Sequence, residues 1–525
     1  MAPGRTSQSD PLQIASVEIP GGTGVIGLTF CPGKKYHSIY GSNWDRDLCI
    51  DLQAIQAFGA KALVTLMESK ELTDVSVPAD TLAAEAGKHG LEWHHLPVRD
   101  VSIPDADFED LWTYSGQRLR SLLARGDKIV IHCLGGVGRT GTVAARLLIE
   151  FGDQPQDAIR KIRKVRPSSI ETQSQERYAA KCVPVPVAHA ICSPQEGALA
   201  CILGGAIGDA FGYEVEFSNI SAIRKRFGAK GIQAPETHHG KLIVSDDTQM
   251  TLFTVEGLLK SLARGDSWKE TCTPSIRAAY LDWYGTQRGH VPPIKPSESG
   301  WLAPQPVMRV PRAPGNTCLS ALGAGGLGTL TKAINDSKGC GGVMRVAPIG
   351  LVGAKATTEE VFRLAAEAAA LTHSHPSGYL SAGMMASIIH LVAQGSTLIA
   401  AVNESCGILS GYSGHEETLR SAKLALNLAS EHAGNHVAMI EQIGGGWVGE
   451  EALAIGLYAV LSASSFVEVI AIATNHSGDS DSTASIAGQI WGAMKGLDGM
   501  PHDWIVGLDV LHPLLRMVRE LTAQI

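Results

Sequence analysis

The sequence predicts an α/β domain followed by an all-α helical domain. In the first third, short apolar runs at residues 62–66 and 128–131 alternate with helix-period segments such as 108–124. That alternation gives a largely parallel, parallel-type sheet with flanking helices. After Gly141 the run TVAARLLIEFG reads as a helix ending at Gly152. The thirteen residues from Cys182 to Pro194 include three prolines; each fixes φ and removes a donor, so this stretch reads as an extended linker. Beyond it, Ala-, Leu- and Gly-rich segments recur at 358–371, 378–402, 418–431 and 450–463, with little β-branched alternation. They read as helices packed closely through small side chains. The expected domains are 1–182 and 195–525, joined by a Pro-rich linker at 183–194. Residues 285–316, rich in Pro and Gly, read as a long loop.

At 525 residues the chain is too long for one ordinary domain. Hydrophobic residues at 44% and charged residues at 18% supply large buried cores. The net charge of −8 argues against a broad nucleic-acid surface but allows a local anion site. Ten cysteines are scattered without a CxxC pair, which fits a reducing, cytoplasmic setting. No apolar segment of a secretory signal is visible in residues 1–20. Residues 372–403 lack Asp, Glu, Lys and Arg and are long enough to span a bilayer. His373, His375, Pro376, His390 and Gly395 interrupt them, so they read as buried helices with no membrane partner. Three GxGxxG matches, starting at Gly22, Gly323 and Gly444, lack the strand–turn–helix setting that would make them a dinucleotide site.

The sharpest signal is Ile129-Val-Ile-His132-Cys133-Leu-Gly-Gly-Val-Gly138-Arg139-Thr140-Gly141. It reads as a strand, a Gly-rich loop and a helix N-terminus. Successive backbone N–H groups of Leu134, Gly135, Gly136, Val137 and Gly138, with the helix dipole, would cradle a tetrahedral oxyanion. Cys133 in that field would sit as thiolate. Arg139 can grip two phosphate oxygens, and Thr140 can donate to the thiolate. A buried structural Cys beside a Gly-rich turn is the plainer alternative.

This His-Cys-x5-Arg-Thr segment resembles the signature of cysteine-dependent tyrosine and dual-specificity phosphatases. With GLTFCPGKK at 27–35 and HHLPVRD at 94–100, it is most similar to the cyclin-dependent kinase inhibitor 3-like group over roughly residues 15–180. Arg166-Pro167 and residues 170–173 also resemble that group. The resemblance implies an α/β phosphatase domain that forms a cysteinyl-phosphate and needs no cofactor. It places the acid that protonates the leaving oxygen at Asp100, with Asp105 and Asp107 as neighbouring competitors.

Past the linker, carboxylates gather in residues 204–217 (with Asp209, Glu214 and Glu216), Ser245-Asp246-Asp247-Thr248, and residues 475–484 (with Asp479, Asp481 and Ser482). Adjacent carboxylates repel unless a cation or solvent relieves them. All-oxygen ligation suits Mg²⁺ or Mn²⁺ better than Zn²⁺. Asp and Ser also favour helix starts, so each cluster alone reads more readily as a cap than as a ligand site, and only the clusters together bring the metal reading level.

GGAIGDAFGYEVEF, SDDTQM and NHSGDSDSTASIAGQIWGA resemble motifs of the ADP-ribosylglycohydrolase family. RAPGNTCLSAL from Arg312, GCGGVMRVAPIGL from Gly339 and LTHSHPSGYLSAG from Leu371 match further family segments, covering roughly 196–500. The resemblance implies an all-α bundle around two Mg²⁺ or Mn²⁺ ions held by Ser245, Asp246, Asp247, Asp479, Asp481 and Ser482. The family often has Thr where Ser245 and Ser482 stand; both keep the hydroxyl. Glu216 would lie near the scissile bond. Gly339, Gly341, Gly342 and Val343 would contact the pyrophosphate of ADP-ribose, and His373 would line the site. The expected protein is a bifunctional hydrolase acting on a phosphorylated substrate and on an ADP-ribosylated protein or small molecule. The alternative is a sensor or scaffold in which one domain is regulatory rather than catalytic.

Overall fold

A computed structural model describes residues 4–36, 43–185, 193–288, 300–431 and 434–525. The chain divides into two units, Met1–Ala190 and Ile191–Ile525. The division falls within the stretch expected as a linker, whose residues 186–192 lie outside the described residues. The ends of that stretch belong to the units. Val185 N–H donates to Glu150 O at 2.9 Å, and Ser193 caps the first helix of the second unit.

The N-terminal unit runs β1 (Ala15–Glu18), β2 (Val25–Phe30), β3 (Lys35–Tyr36), β4 (Trp44–Asp45), α1 (Leu48–Phe58), β5 (Ala60–Thr65), α2 (Ser69–Asp74) and α3 (Ala79–Lys88). It continues with β6 (Glu92–His95), α4 (Ala106–Ala124), β7 (Lys128–Cys133), α5 (Gly138–Glu150), α6 (Pro155–Val165) and α7 (Gln173–Ala179). Five strands form one sheet in the order β1-β2-β7-β5-β6. All pairs are parallel except β1 with β2, so an antiparallel edge strand joins the parallel sheet expected. β3 and β4 form a separate antiparallel ribbon. Ile129, Val130 and Ile131 of the central strand β7 are fully buried, which explains its continuous apolar run. Cys133 thus ends the central strand, where ligands of open α/β sheets bind. Helix α5 begins at Gly138, inside the signature rather than after it.

The C-terminal unit is helical: α8 (Pro194–Tyr213), α9 (Ile220–Phe227), α10 (Asp246–Leu262), α11 (Trp268–Gln287), α12 (Asn316–Gly323), α13 (Ala347–Gly350), α14 (Thr358–Ala370) and α15 (Pro376–Ala393). Then come α16 (Leu398–Leu409), α17 (Glu416–Ser430), α18 (His436–Ile443), α19 (Gly449–Ser462), α20 (Phe466–Thr474), α21 (Ser480–Lys495), α22 (His502–Gly507) and α23 (Leu511–Thr522). The apolar segment expected at 378–402 is two helices, because Gly395 adopts φ +93° and Thr397 caps α16. No helix among the described residues is long and apolar enough to cross a membrane. Of the loop expected at 285–316, residues 289–299 lie outside the described residues; 300–315 are irregular apart from a short 3₁₀ turn.

Two helices set the frame of the C-terminal site. α8 and α21 run antiparallel with Gly208 against Ala484 and Gly212 against Ser480. A Cβ on Gly208 would stand 2.1 Å from Ala484 O, and one on Gly212 2.2 Å from Ser480 O. Only hydrogen allows this approach. It brings the C-terminal end of α8 to the N-terminal turn of α21, which carries Asp481.

Candidate active sites

In the N-terminal unit, two cations outside the loop set its geometry. Lys34 Nζ donates to Leu134 O at 3.0 Å, Arg166 Nη2 to Gly135 O at 3.0 Å and Arg166 Nε to Gly136 O at 3.0 Å. In a planar trans peptide the N–H points opposite to the C=O. Holding these three carbonyls therefore turns the N–H groups of Gly135, Gly136 and Val137 the other way. Gly136 N–H duly lies 3.2 Å from Cys133 Sγ. Gly136 has φ +70°, and a Cβ there would meet Thr29 O at 2.2 Å, so this turn requires glycine. Lys34 is buried over the rings of Phe30 and Trp44, and burial pushes its pKa down to about 8. His132 is neutral: burial lowers it to about 3, and Nε2 pairs with Thr65 Oγ1 at 2.8 Å.

Arg139, at the start of α5, is buried and fully engaged. Glu71 of α2 takes its Nη1 and Nη2 at 2.7 Å each, Val98 O accepts from Nη1 at 3.0 Å, and Asp100 Oδ1 lies 2.9 Å from Nη2. Asp100 is thus within reach of the loop and is otherwise well exposed. The competitor Asp105 caps α4, its carboxylate accepting from Phe108 N–H at 3.0 Å. Asp107 lies in the first turn of that helix, exposed. The expectation for Thr140 fails: its Oγ1 is buried without a hydrogen-bond partner, so it does not donate to Cys133.

In the C-terminal unit a cavity of about 490 Å³ is lined by Glu216, Asp246, Asp247, Asp479, Asp481 and Ser482. Both helix starts converge on it. Ser245 caps α10, accepting from Asp247 N–H at 3.1 Å, and Asp479 caps α21, accepting from Ser482 N–H at 3.2 Å. The capping and ligand readings of these clusters therefore coexist. Ser245 is wholly buried behind the cavity wall rather than lining it. Asp209 staples the α10 start from α8, accepting from Ser245 N–H at 2.8 Å, Thr248 N–H at 3.0 Å and the Thr248 hydroxyl.

The electrostatics call for cations. Burial, then Asp209 and Asp479, push Asp246 up to about 8. Burial, then Asp479, Asp246 and Asp209, push Glu216 up to about 8. Asp247 is raised well above the usual carboxylate range by burial, then Asp209, Asp246 and Asp479, and Asp481 by burial, then Asp247, Asp479 and Glu216. Asp247 Oδ2 and Glu216 Oε2 are buried with no hydrogen-bond partner. Crowded, unsatisfied carboxylates of this kind fit divalent cations.

Gly339, Gly341 and His373 line the cavity; Gly342 and Val343 do not. Val343 N–H is spent on Cys340 O at 2.9 Å, in the tight turn that closes the loop, so it is not free for a pyrophosphate. His373 is neutral, lowered to about 3 by burial and then Arg345, with Nδ1 2.8 Å from Thr372 Oγ1.

Several groups were missed by sequence reasoning. Glu71, Lys34 and Arg166 reach the phosphate loop from distant segments. Cys340 sits among the carboxylates, its Sγ 2.8 Å from Asp479 Oδ2. Phe217 and Trp447 stack at the cavity, centroids 6.0 Å apart, and both are exposed. The quoted segments contained Lys34, Arg166, Phe217 and Cys340 without giving them a role, whereas Glu71 and Trp447 lay in no quoted family motif.

A cysteine loop on an α/β sheet and a carboxylate cavity in a helical unit define a two-unit hydrolase. The chain belongs to the ADP-ribosylglycohydrolase family, whose model matches residues 193–525. A model described as a polymorphic toxin system DSP-PTPase phosphatase matches residues 45–153. The chain is similar to cyclin-dependent kinase inhibitor 3 of Rattus norvegicus, 31% identical over 156 residues, 29% of this chain and 69% of that protein. It is 28% identical over 341 residues to an uncharacterized protein of Archaeoglobus fulgidus, covering 62% of this chain and 96% of that one. Over 71 residues it is 34% identical to an ADP-ribosylarginine hydrolase of Pseudomonas putida, covering 14% of this chain and 19% of that protein.

Proposed function

We propose that the chain is a bifunctional hydrolase: a cysteine-dependent phosphatase, and a Mg²⁺- or Mn²⁺-dependent hydrolase that releases ADP-ribose from an acceptor. The observation that carries the second activity is the convergence of two helix starts and Glu216 on one cavity.

In the phosphatase, a phosphate on the inward N–H groups lies against Cys133 Sγ. Attack forms the S–P bond and breaks the ester P–O bond, and the leaving oxygen takes a proton from Asp100. Water then hydrolyses the cysteinyl-phosphate. The phosphate competes with Asp100 for Arg139 Nη2, which frees the acid to act, while Glu71 keeps the guanidinium oriented.

In the hydrolase, Asp246, Asp247, Asp479, Asp481 and Ser482, which line the cavity, would hold two divalent ions, and Ser245 would set the α10 start behind them. Bound there, such ions supply Lewis-acid polarisation and orient ribose hydroxyls and water. Glu216, which lines the same cavity beside the ion-holding carboxylates, lies near the scissile bond, where a carboxyl can exchange a proton with the leaving acceptor. Among acceptors, arginine fits the exposed Phe217–Trp447 pair, since a planar guanidinium stacks on aromatic faces. The name of the Pseudomonas relative points the same way. A cytoplasmic setting suits nine free cysteines among the described residues.

The test is incubation with ADP-ribosyl-arginine, ADP-ribosyl-serine and ADP-ribose 1″-phosphate, with and without Mg²⁺, reading products by mass. Free ADP-ribose from the arginine conjugate, only with the metal, is expected. Release from none of the three would overturn the reading.

A further inference from the structure

The metal motifs legible in sequence hold oxygen donors only, and the fold adds a thiol to them. Cys340 lies 139 residues from Asp479 in sequence, yet its Sγ is 2.8 Å from Asp479 Oδ2 and 3.6 Å from the Ser482 hydroxyl. Its backbone is pinned on both sides. Cys340 N–H donates to Trp447 O at 3.2 Å, and Cys340 O accepts from Val343 and Met344 N–H at 2.9 and 3.2 Å. The same cavity is lined by Asp247, 3% exposed, whose Oδ2 has no hydrogen-bond partner. An S–H donor accounts for the contact with Asp479 but leaves Asp247 Oδ2 unsatisfied. A cation between the two helix starts addresses both.

We propose that this cavity takes a thiophilic divalent cation of the zinc class, with Cys340 Sγ and Asp479 Oδ2 among its donors, in competition with magnesium or manganese. This rests on the metal reading of the same cavity. Thiolate selects zinc-class ions, whereas magnesium prefers oxygen donors. On binding, the metal–sulfur bond forms as the S–H bond breaks, and the thiol proton goes to solvent. Zinc-class ions then displace the hard ions and stop release of ADP-ribose, while the same sulfur gives little to magnesium.

The test uses the full chain carrying Cys133→Ser, which removes the other site's thiol. Cadmium titration is followed by its ultraviolet thiolate-to-metal absorption, and zinc and manganese affinities are measured by calorimetry. Adding Cys340→Ser is expected to remove one equivalent of the absorption and to weaken zinc binding by at least about tenfold. Manganese affinity should change far less. Should Cys340→Ser fail to fold, alkylation of Cys340 in the unaltered chain, read by peptide mass, decides: zinc protects and magnesium does not. Unchanged cadmium absorption and zinc affinity, or equal protection by both ions, overturns the proposal. If manganese still binds and activates while Cys340 makes no difference, only this inference fails. If no divalent ion binds, the hydrolase reading fails with it.

Discussion

Glu71 and Arg139 meet through two N–H···O contacts of 2.7 Å each across 68 residues of sequence. The pair fixes the guanidinium plane beside the phosphate loop, with Arg139 almost wholly buried. Glu71→Gln keeps the shape and removes the charge. Its expected effect is a fall of about 10²-fold in kcat/KM for an aryl phosphate, because misplacing a positioned group costs that much. Steady-state kinetics within twofold of the unaltered chain would show that Glu71 does not position Arg139.

Asp100 and Asp105 should separate cleanly. Asp100→Asn is expected to slow substrates with poor leaving groups by about 10²–10⁴ and those with good leaving groups less. Asp105→Asn removes a carboxylate cap from α4 and should cost no more than about 1 kcal/mol of stability, without leaving-group dependence. A leaving-group series on both variants checks this. The pattern appearing in Asp105→Asn would reassign the acid.

Much of each site was legible because its chemistry is local in the chain. The phosphate loop is one strand–loop–helix unit, and the aspartate pairs sit in the first turns of α10 and α21, where sequence patterns mark helix starts. What was hidden arrives through tertiary packing. Glu71 comes from α2 and Lys34 from the segment that follows β2, and Cys340 reaches Asp479 because the tight turn at 340–342 pins it. Thr140 misled because spacing puts it beside the loop, whereas α5 begins at Gly138 and buries its hydroxyl without a partner. Val343 misled because the same tight turn consumes its N–H. Gly395 was visible as an interruption of the uncharged run, yet the expected helical segment at 378–402 ran through it.

Stability of the C-terminal unit should fall with rising pH when metal is absent and hold when it is bound. Asp246 and Glu216 are pushed up to about 8 and Asp209 to about 6, chiefly by burial. Unfolded carboxyls titrate near roughly 4. Their folded pKa values are thus raised, so the stabilising contribution is full below about pH 4 and is lost as pH rises toward about 8. Bound cations replace the protons. Scanning calorimetry of the full chain should show the chelated sample's transition falling from about pH 5 to about pH 8 while the manganese-loaded sample holds, so the gap widens. A chelated transition that rises with pH would refute carboxylate crowding.

The glycine contact between α8 and α21 should be as important to this unit as its ligands. Gly208→Ala places a methyl 2.1 Å from Ala484 O and should destabilise by about 1–3 kcal/mol. Because the shift separates Asp209 from the α10 start, divalent-ion affinity should fall as well. Calorimetry showing neither loss would mean that the helices relax apart without disturbing the site.

The most direct test of two independent hydrolases in one chain is a single sample given an aryl phosphate and ADP-ribosyl-arginine together, before and after chelation. Chelation should stop release of ADP-ribose and leave phosphate release running, and Cys133→Ser should do the reverse. If chelation stops both reactions or neither, or if Cys133→Ser leaves phosphate release intact, the account is contradicted.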